Sequence, residues 1–519
     1  MTVKLTRRGF LLASGLTATG FIALSACAPA RKAAPMLSFI AATDPEVASA
    51  ERARPRSGAT VQYRLSAASG SADLGNGTSV RTWGYSDGAA MAAVGPVIRA
   101  SRGDRLVVDV DNDLPEETSI HWHGVRIRND MDGSPPDTQE PIASGGRFRY
   151  DFTVPDPGTY WYHSHSGLQA DRALIGALIV EDPDEQTAAD AELVLVIDDW
   201  TDGIAATPEQ ILTALTPTGG GGHQHGGGAS AAPPAESSSA AAAMLAQGVG
   251  YSQVLGGPTQ HIAYPMHLIN GRSVDDPQRF DVAAGSRVRL RVINAAAETP
   301  YRFALAGHRL TVIATDGYAT RPHQSDSILI APAQRVDVLA DIASGIWPFV
   351  ARVEGREGAA LATIATHDAV GDTPVGSAAT RIPELGGQVV TDAHLHPAER
   401  SRLRARTPDQ HWQLDLLEAE GRYLWGIGGA DAGALHPAVG ERVRISMTNR
   451  SSMWHPMHLH GHTFASVTHN GLRRDTTIVL PGQTVDIEFD ADNPGHWMLH
   501  CHNAYHFAAG MTVPVRYIR

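Results

Sequence analysis

The chain has 519 residues, with 55 acidic against 42 basic side chains and a net charge of −13, which argues against nucleic acid as a partner. Its 52 glycines and 32 prolines suit many short strands joined by turns, and its length suggests about three domains. With two cysteines it is no disulfide scaffold; an exported chain of this kind relies on a large core instead.

The N-terminus reads as a targeting segment. "LTRRGFLLASG" sets Arg7 and Arg8 ahead of an apolar stretch, the twin-arginine form of export signal. That stretch ends at "LSAC", residues 24–27, which resembles a bacterial lipobox. The reading is a signal peptide over 1–26, cleavage before Cys27, a lipid on the Cys27 thiol and a linker over 27–54. The protein would then be exported by the twin-arginine machinery and anchored as a lipoprotein at the outer face of the cytoplasmic membrane or in the cell envelope. The alternative is an uncleaved anchor or an ordinary signal in which Cys27 is incidental.

From residue 55 onward an internal repeat organises the chain. "GDRLVVDVDN" starts at Gly103, "GSRVRLRVIN" at Gly285 and "GERVRISMTN" at Gly440, each alternating as a strand does. Eighteen and twenty residues past Gly103 stand His121 and His123, in "HWHG"; the same offsets from Gly440 reach His458 and His460, in "HLHG". From Gly285 they reach Phe303 and Leu305. A second part repeats as well. "PGTYWYHSH" places His163 and His165 five and seven residues past Gly158, and "PGHWMLHCH" places His500 and His502 at the same distances past Gly495. The middle copy, "SGIWPFVAR", offers Val350 and Arg352 there.

Three domains are therefore expected at 55–185, 186–375 and 376–519, the middle one a spacer or wall without metal ligands. It carries a Gly/Ser/Ala-rich insertion at about 217–247 that reads as disordered. Two readings of its His223 and His225 stand: incidental residues of a loop, or transient captors of copper. Residues i and i+2 of a strand point to one face, so each H-x-H presents both rings together. Eight histidines in four pairs, shared equally by the first and third domains, suit a cluster of about three metals between them.

"HCHNAYHFAAGM", beginning at His500, wires a second site to the first. His500 and His502 look one way and Cys501 the other. A thiolate, two imidazoles and a distant thioether make a blue-copper electron-transfer site, and His506 and Met511 follow closely. His455 lies an odd number of residues from His458 and so faces the Cys501 side.

Taken together, "HWHG" at His121, "HSH" at His163, "HPMHLHGH" at His455 and "HCHNAYHFAAGM" at His500 resemble the copper signature of the three-domain multicopper oxidases of laccase type, over roughly 55–519. The signal sequence and "YHSHSG" resemble in particular the bacterial copper-resistance oxidases, including the lipid-anchored mycobacterial kind. The resemblance implies an all-β chain of three consecutive cupredoxin-like Greek-key β-sandwich domains holding four copper ions. His455, Cys501 and His506 would bind the type 1 copper, with Met511 axial. His121 and His458 would bind type 2; His123, His163, His165, His460, His500 and His502 would bind the type 3 pair. The implied reaction takes single electrons from phenols, Cu(I) or Fe(II) through Cys501 and reduces dioxygen, the co-substrate, to water, with a role in copper resistance.

Protons need a separate donor. Asp132, in "NDMDG", matches an acidic position used this way in related oxidases; the other reading is an aspartate shaping the turn before Gly133. One departure is Phe507, directly after the last type 1 histidine, where some bacterial relatives carry a glutamate. Other function classes are a non-enzymatic copper-sequestering protein of this fold and a copper nitrite reductase. The latter shares cupredoxin domains but lacks four H-x-H pairs.

Overall fold

The computed structural model describes residues 37–185, 187–216, 236–433 and 435–519. The expected signal segment, Cys27, His223 and His225 lie outside the described residues. Among the described residues no helix is long and apolar enough to cross a membrane.

Each Gly-to-Asn repeat forms a central strand, over Arg105–Asp113, Arg287–Asn294 and Arg442–Asn449. Each runs parallel to an earlier strand, Thr60–Gly75, Ala191–Trp200 or Gln410–Glu418, and antiparallel to a later one. A second sheet faces each of these sheets across an apolar core. Leu106, Tyr150 and Leu178 meet in the first sandwich, Val288, Phe303 and Ile328 in the middle one, and Ile445, Leu459 and Val513 in the third. The cores of the first and third are one continuous cluster, whereas the middle sandwich has its own. Phe303 and Leu305, which replace histidines in the middle copy, are buried in that core, and Val350 is buried in a smaller cluster with Ala304, Leu361 and Leu385.

The asparagine closing each repeat is buried, and its three sets of hydrogen bonds correspond. Asn112 donates to the carbonyls of Glu116 and Ile142 and accepts from Leu114 N. Asn294 does the same with Thr299, Ile330 and Ala296, and Asn449 with Met453, Val479 and Ser451. In the first and third copies this ties the strand end to the segment leading into a histidine pair. An unmet backbone carbonyl there would cost about 1–3 kcal/mol.

Strand register then places the histidines. His121 lies opposite His163, His458 opposite His500, and Met457 opposite Cys501. His455 and Cys501 consequently share the face away from His458 and His500. Of the four pairs, only His121 with His123 has both members within one strand, His121–His123. His165, His460 and His502 stand just past strand ends, a correction to the expectation that every pair sits on a strand. The extended run continues beyond two of those ladders through single bonds: His460 N donates to Met498 O (3.0 Å) and His502 N to Pro456 O (2.7 Å).

Three further stretches carry structure of their own. Within the 27–54 linker, the helix Pro45–Ala53 buries Val47 and Glu51, and Phe39 pairs with Ile518, so this stretch is docked. The strand Val389–Val390 pairs with Ser327 and Ile328, which carries the middle sandwich past residue 376. In the insertion read as disordered, Glu236–Leu245 is helical, because alanines favour helix and Ala242 and Leu245 pack with Ile211 and Ile262.

Gly133 follows Asp132 at φ +79°, where a Cβ would lie 1.8 Å from the Ile120 carbonyl oxygen. Gly133→Ala should therefore destabilise the protein by more than the ~1–3 kcal/mol of backbone strain alone, read as a lowered denaturant midpoint, and should displace His121.

Candidate metal centre

All eight paired histidines meet between the first and third sandwiches. Ligand-capable atoms of His121, His123 and His163 lie within 4.8 Å of one another, as do those of His121, His458 and His460, and of His165, His460 and His500. His121 stacks on His460 at 4.0 Å between ring centroids, and His123 on His458 at 3.9 Å. His502 lies 4.9 Å from His123 and 5.3 Å from His163.

For six of the rings, hydrogen bonds fix which nitrogen faces inward. His121 Nδ1 donates to Asp132 O, His163 Nδ1 to Ser164 O, His458 Nδ1 to Asp475 O and His500 Nδ1 to Cys501 O, each at 2.9 Å. His460 Nδ1 donates to Asp132 Oδ2, also at 2.9 Å. These rings keep Nε2 for the centre. His123 is reversed: its Nε2 donates to Asp475 Oδ1 (3.1 Å) and leaves Nδ1.

The inward nitrogens of His121, His123, His163, His165, His458 and His502 are buried with no hydrogen-bond partner, and Nε2 of His460 and His500 face each other at 2.9 Å. Burial pushes His123, His163, His460, His500 and His502 well below the ordinary imidazole range, and His165 to about 3. Neutral rings with converging lone pairs, each otherwise costly to bury, fit cations at their centre.

Two carboxylates support this shell. Burial alone would raise Asp132, but His121 and His460 outweigh it and hold the group well below the usual carboxylate range. Ser134 Oγ also donates to its Oδ2 (2.6 Å), while Oδ1 has no hydrogen-bond partner and lies 3.3 Å from His121 Nδ1. Asp475, which sequence reading missed, faces both His123 and His458 and takes a bidentate contact from Arg335, at 2.8 and 2.6 Å. Arg335 belongs to the middle sandwich and also donates to Thr159 O in the first (3.0 Å). The middle sandwich is thus more than a wall.

A second constellation lies on the other face of the same strands. His455 Nδ1 and His506 Nδ1 approach Cys501 Sγ at 3.7 and 3.6 Å and each other at 3.2 Å. His455 Nε2 is held by Ser451 Oγ (2.7 Å), and Trp425 stacks on His506 at 4.0 Å. Burial pushes the Cys501 thiol up and His455 down to about 3; a cation would offset the cost of the thiolate. Met511 is fully buried in the same core, with its backbone bonded to Cys501 and His506. Phe507 packs on the cluster, 4.6 Å from His500 and 5.3 Å from His165. Trp161, also unanticipated, stacks on His163 at 4.4 Å.

Family models described as multicopper oxidase match residues 72–185, 242–371 and 400–518. The chain belongs to the multicopper oxidase family and is an oxidase that uses copper, dioxygen and a reductant. It is 41% identical to the multicopper oxidase MmcO of Mycobacterium tuberculosis, over 99% of this chain and 97% of that one. Copper resistance protein A of Escherichia coli is 26% identical, over 81% and 87%. In fold, with cupredoxin-like domains, it resembles a laccase from Botrytis aclada (TM-score 0.68, 24% identity, 91% of this chain and 89% of that one) and Fet3p (0.67, 21%, 88% and 90%).

Removing Arg335 would leave Asp475 buried and unpaired. Arg335→Leu should cost roughly 3–5 kcal/mol and lower copper content measured after purification; Arg335→Lys, lacking the bidentate fork, should recover only part of either.

Proposed function

We propose that the eight histidines between the sandwiches would hold three coppers and that Cys501, His455 and His506, with Met511 as a further ligand, would hold a fourth. In this assignment His121 and His458 bind the type 2 ion, and His123, His163, His165, His460, His500 and His502 bind the type 3 pair. The observation that carries it is the convergence of buried, unpartnered imidazole nitrogens on one point, joined to a separate Cys/His group through three consecutive residues. Bound copper supplies one-electron steps that sum to the four-electron reduction of dioxygen to water.

The protein's own contribution is placement. Asp132, Asp475 and the backbone carbonyls orient the rings, and the packed sandwiches exclude bulk water. Cys501 stands between His500 and His502, so the covalent chain is the shortest link between the two sites. Asp132 Oδ1, free of hydrogen bonds and close to His121, is positioned to pass a proton inward. The reductants are phenols, Cu(I) or Fe(II), and the similarity to copper resistance proteins supports a role in copper resistance. The domains run 55–185, from 186 to about 390, and onward to 519. The twin-arginine segment and Cys27 support export and lipid anchoring in the envelope.

Cys501→Ser should abolish the intense blue absorption and oxidase turnover while most of the copper held by the histidine cluster stays bound, by metal analysis. An undiminished blue band would refute the assignment. Asp132→Asn should slow dioxygen reduction about a hundredfold with copper content and anaerobic reduction of the type 1 site retained; copper lost in step with activity would make Asp132 a structural residue only.

A further inference from the structure

The four residues assigned to the type 1 copper are fully buried, and Trp425, stacked on His506, is only 2% exposed. A reductant therefore meets something else first. His261 lies edge-on to His506, 5.5 Å between ring centroids, and also borders Tyr423 and Trp425; its side chain is 27% exposed. Beneath it is Glu298, fully buried, whose Oε1 accepts from His261 Nδ1 (3.2 Å), from His261 N (3.0 Å) and from Asn503 Nδ2 (3.1 Å), and whose Oε2 accepts from Ile262 N (2.9 Å). Asn503 in turn caps the helix Ala504–Ala508, which carries His506. One carboxylate thus fixes the ring of His261 and the helix of its neighbour.

With Nδ1–H given to Glu298, His261 keeps the lone pair of Nε2, which has no hydrogen-bond partner among the described residues. The same construction, a ring nitrogen donating to a buried carboxylate while the other stays open, recurs at His460 with Asp132 and at His123 with Asp475. It is the way proteins orient imidazoles that ligate metals and raise their basicity. A thioether stands in a segment tied by backbone to this one. Met244, 76% exposed, directly precedes Leu245, whose carbonyl accepts from Ala263 N (2.8 Å), two residues past His261. Imidazole and thioether suit monovalent copper.

We propose that His261 Nε2, supported by Glu298, is the docking ligand for a cuprous ion arriving as reductant. This rests on the assignment of His506 to the type 1 copper. Binding is what is added; the electron balance is that of the oxidase, four cuprous ions oxidised to cupric per dioxygen and four protons converted to two waters.

The test uses the copper-loaded enzyme in a His223→Ala/His225→Ala background, with Ag(I) as a redox-inert stand-in for Cu(I). His261→Gln, which keeps a donor for Glu298, should weaken Ag(I) binding in calorimetry at least about tenfold and raise KM for Cu(I) alike, with the blue band at full intensity. Glu298→Gln should weaken Ag(I) by about tenfold. Unchanged silver affinity in His261→Gln, or an equal rise in KM for a substituted phenol, would overturn the proposal. Absence of the blue band from the parent enzyme would overturn the type 1 assignment itself, so the two failures are told apart.

Discussion

A neutral imidazole offers one nitrogen as donor and the other as lone pair, and in a buried cluster the choice is fixed by whatever accepts the proton. Six of the eight rings at the interface of the first and third sandwiches obey that constraint. Five rings give Nδ1–H to a carbonyl or carboxylate within hydrogen-bond reach, and His123 gives Nε2–H to Asp475. Were any of these acceptors lost, a ring could turn its N–H inward, and a position meant for a cation would hold a proton.

The acceptors are themselves held from a distance. Asp475 is fixed by Arg335, which reaches from the middle sandwich and is anchored on Thr159 of the first. Asp316 joins the same group, with burial raising it to about 6 and Arg474 beside it at 3.0 Å. Three sandwiches therefore converge on one carboxylate. The middle copy, which lost its histidines, kept a part in the site through a guanidinium.

The histidine pairs are readable in the sequence because a period of two and a fixed offset from a glycine are local properties, and the three repeats become three equivalent strands. What lies across the fold is not readable in this way. Arg335 and Asp475 are 140 residues apart and neither belongs to a repeat of histidines. Asp132 is legible only as an acid near a turn; that it faces both His121 and His460 depends on the docking of two sandwiches. His261 has no second histidine at i+2 to mark it. The helix Glu236–Leu245 was hidden by low-complexity composition, although the alanine run that makes the composition simple is also what favours the helix. The docking of residues 37–54 rests on Phe39 and Ile40 meeting the far end of the chain, at Ile518 and Tyr517.

That meeting of the two ends bears on how the molecule is made. The first and third sandwiches share one apolar core, the ligand set runs from His121 to His502, and residues at 39–40 are bridged to 517–518. The proposed cluster draws four histidines from the first sandwich and four from the third. Contacts of such long sequence separation form late and slowly, so a cluster of the proposed composition would be complete only once the third sandwich has docked on the first. Until then the histidines of the first sandwich are an open half-site. Loading of the proposed cluster would thus report that the two sandwiches have folded and docked.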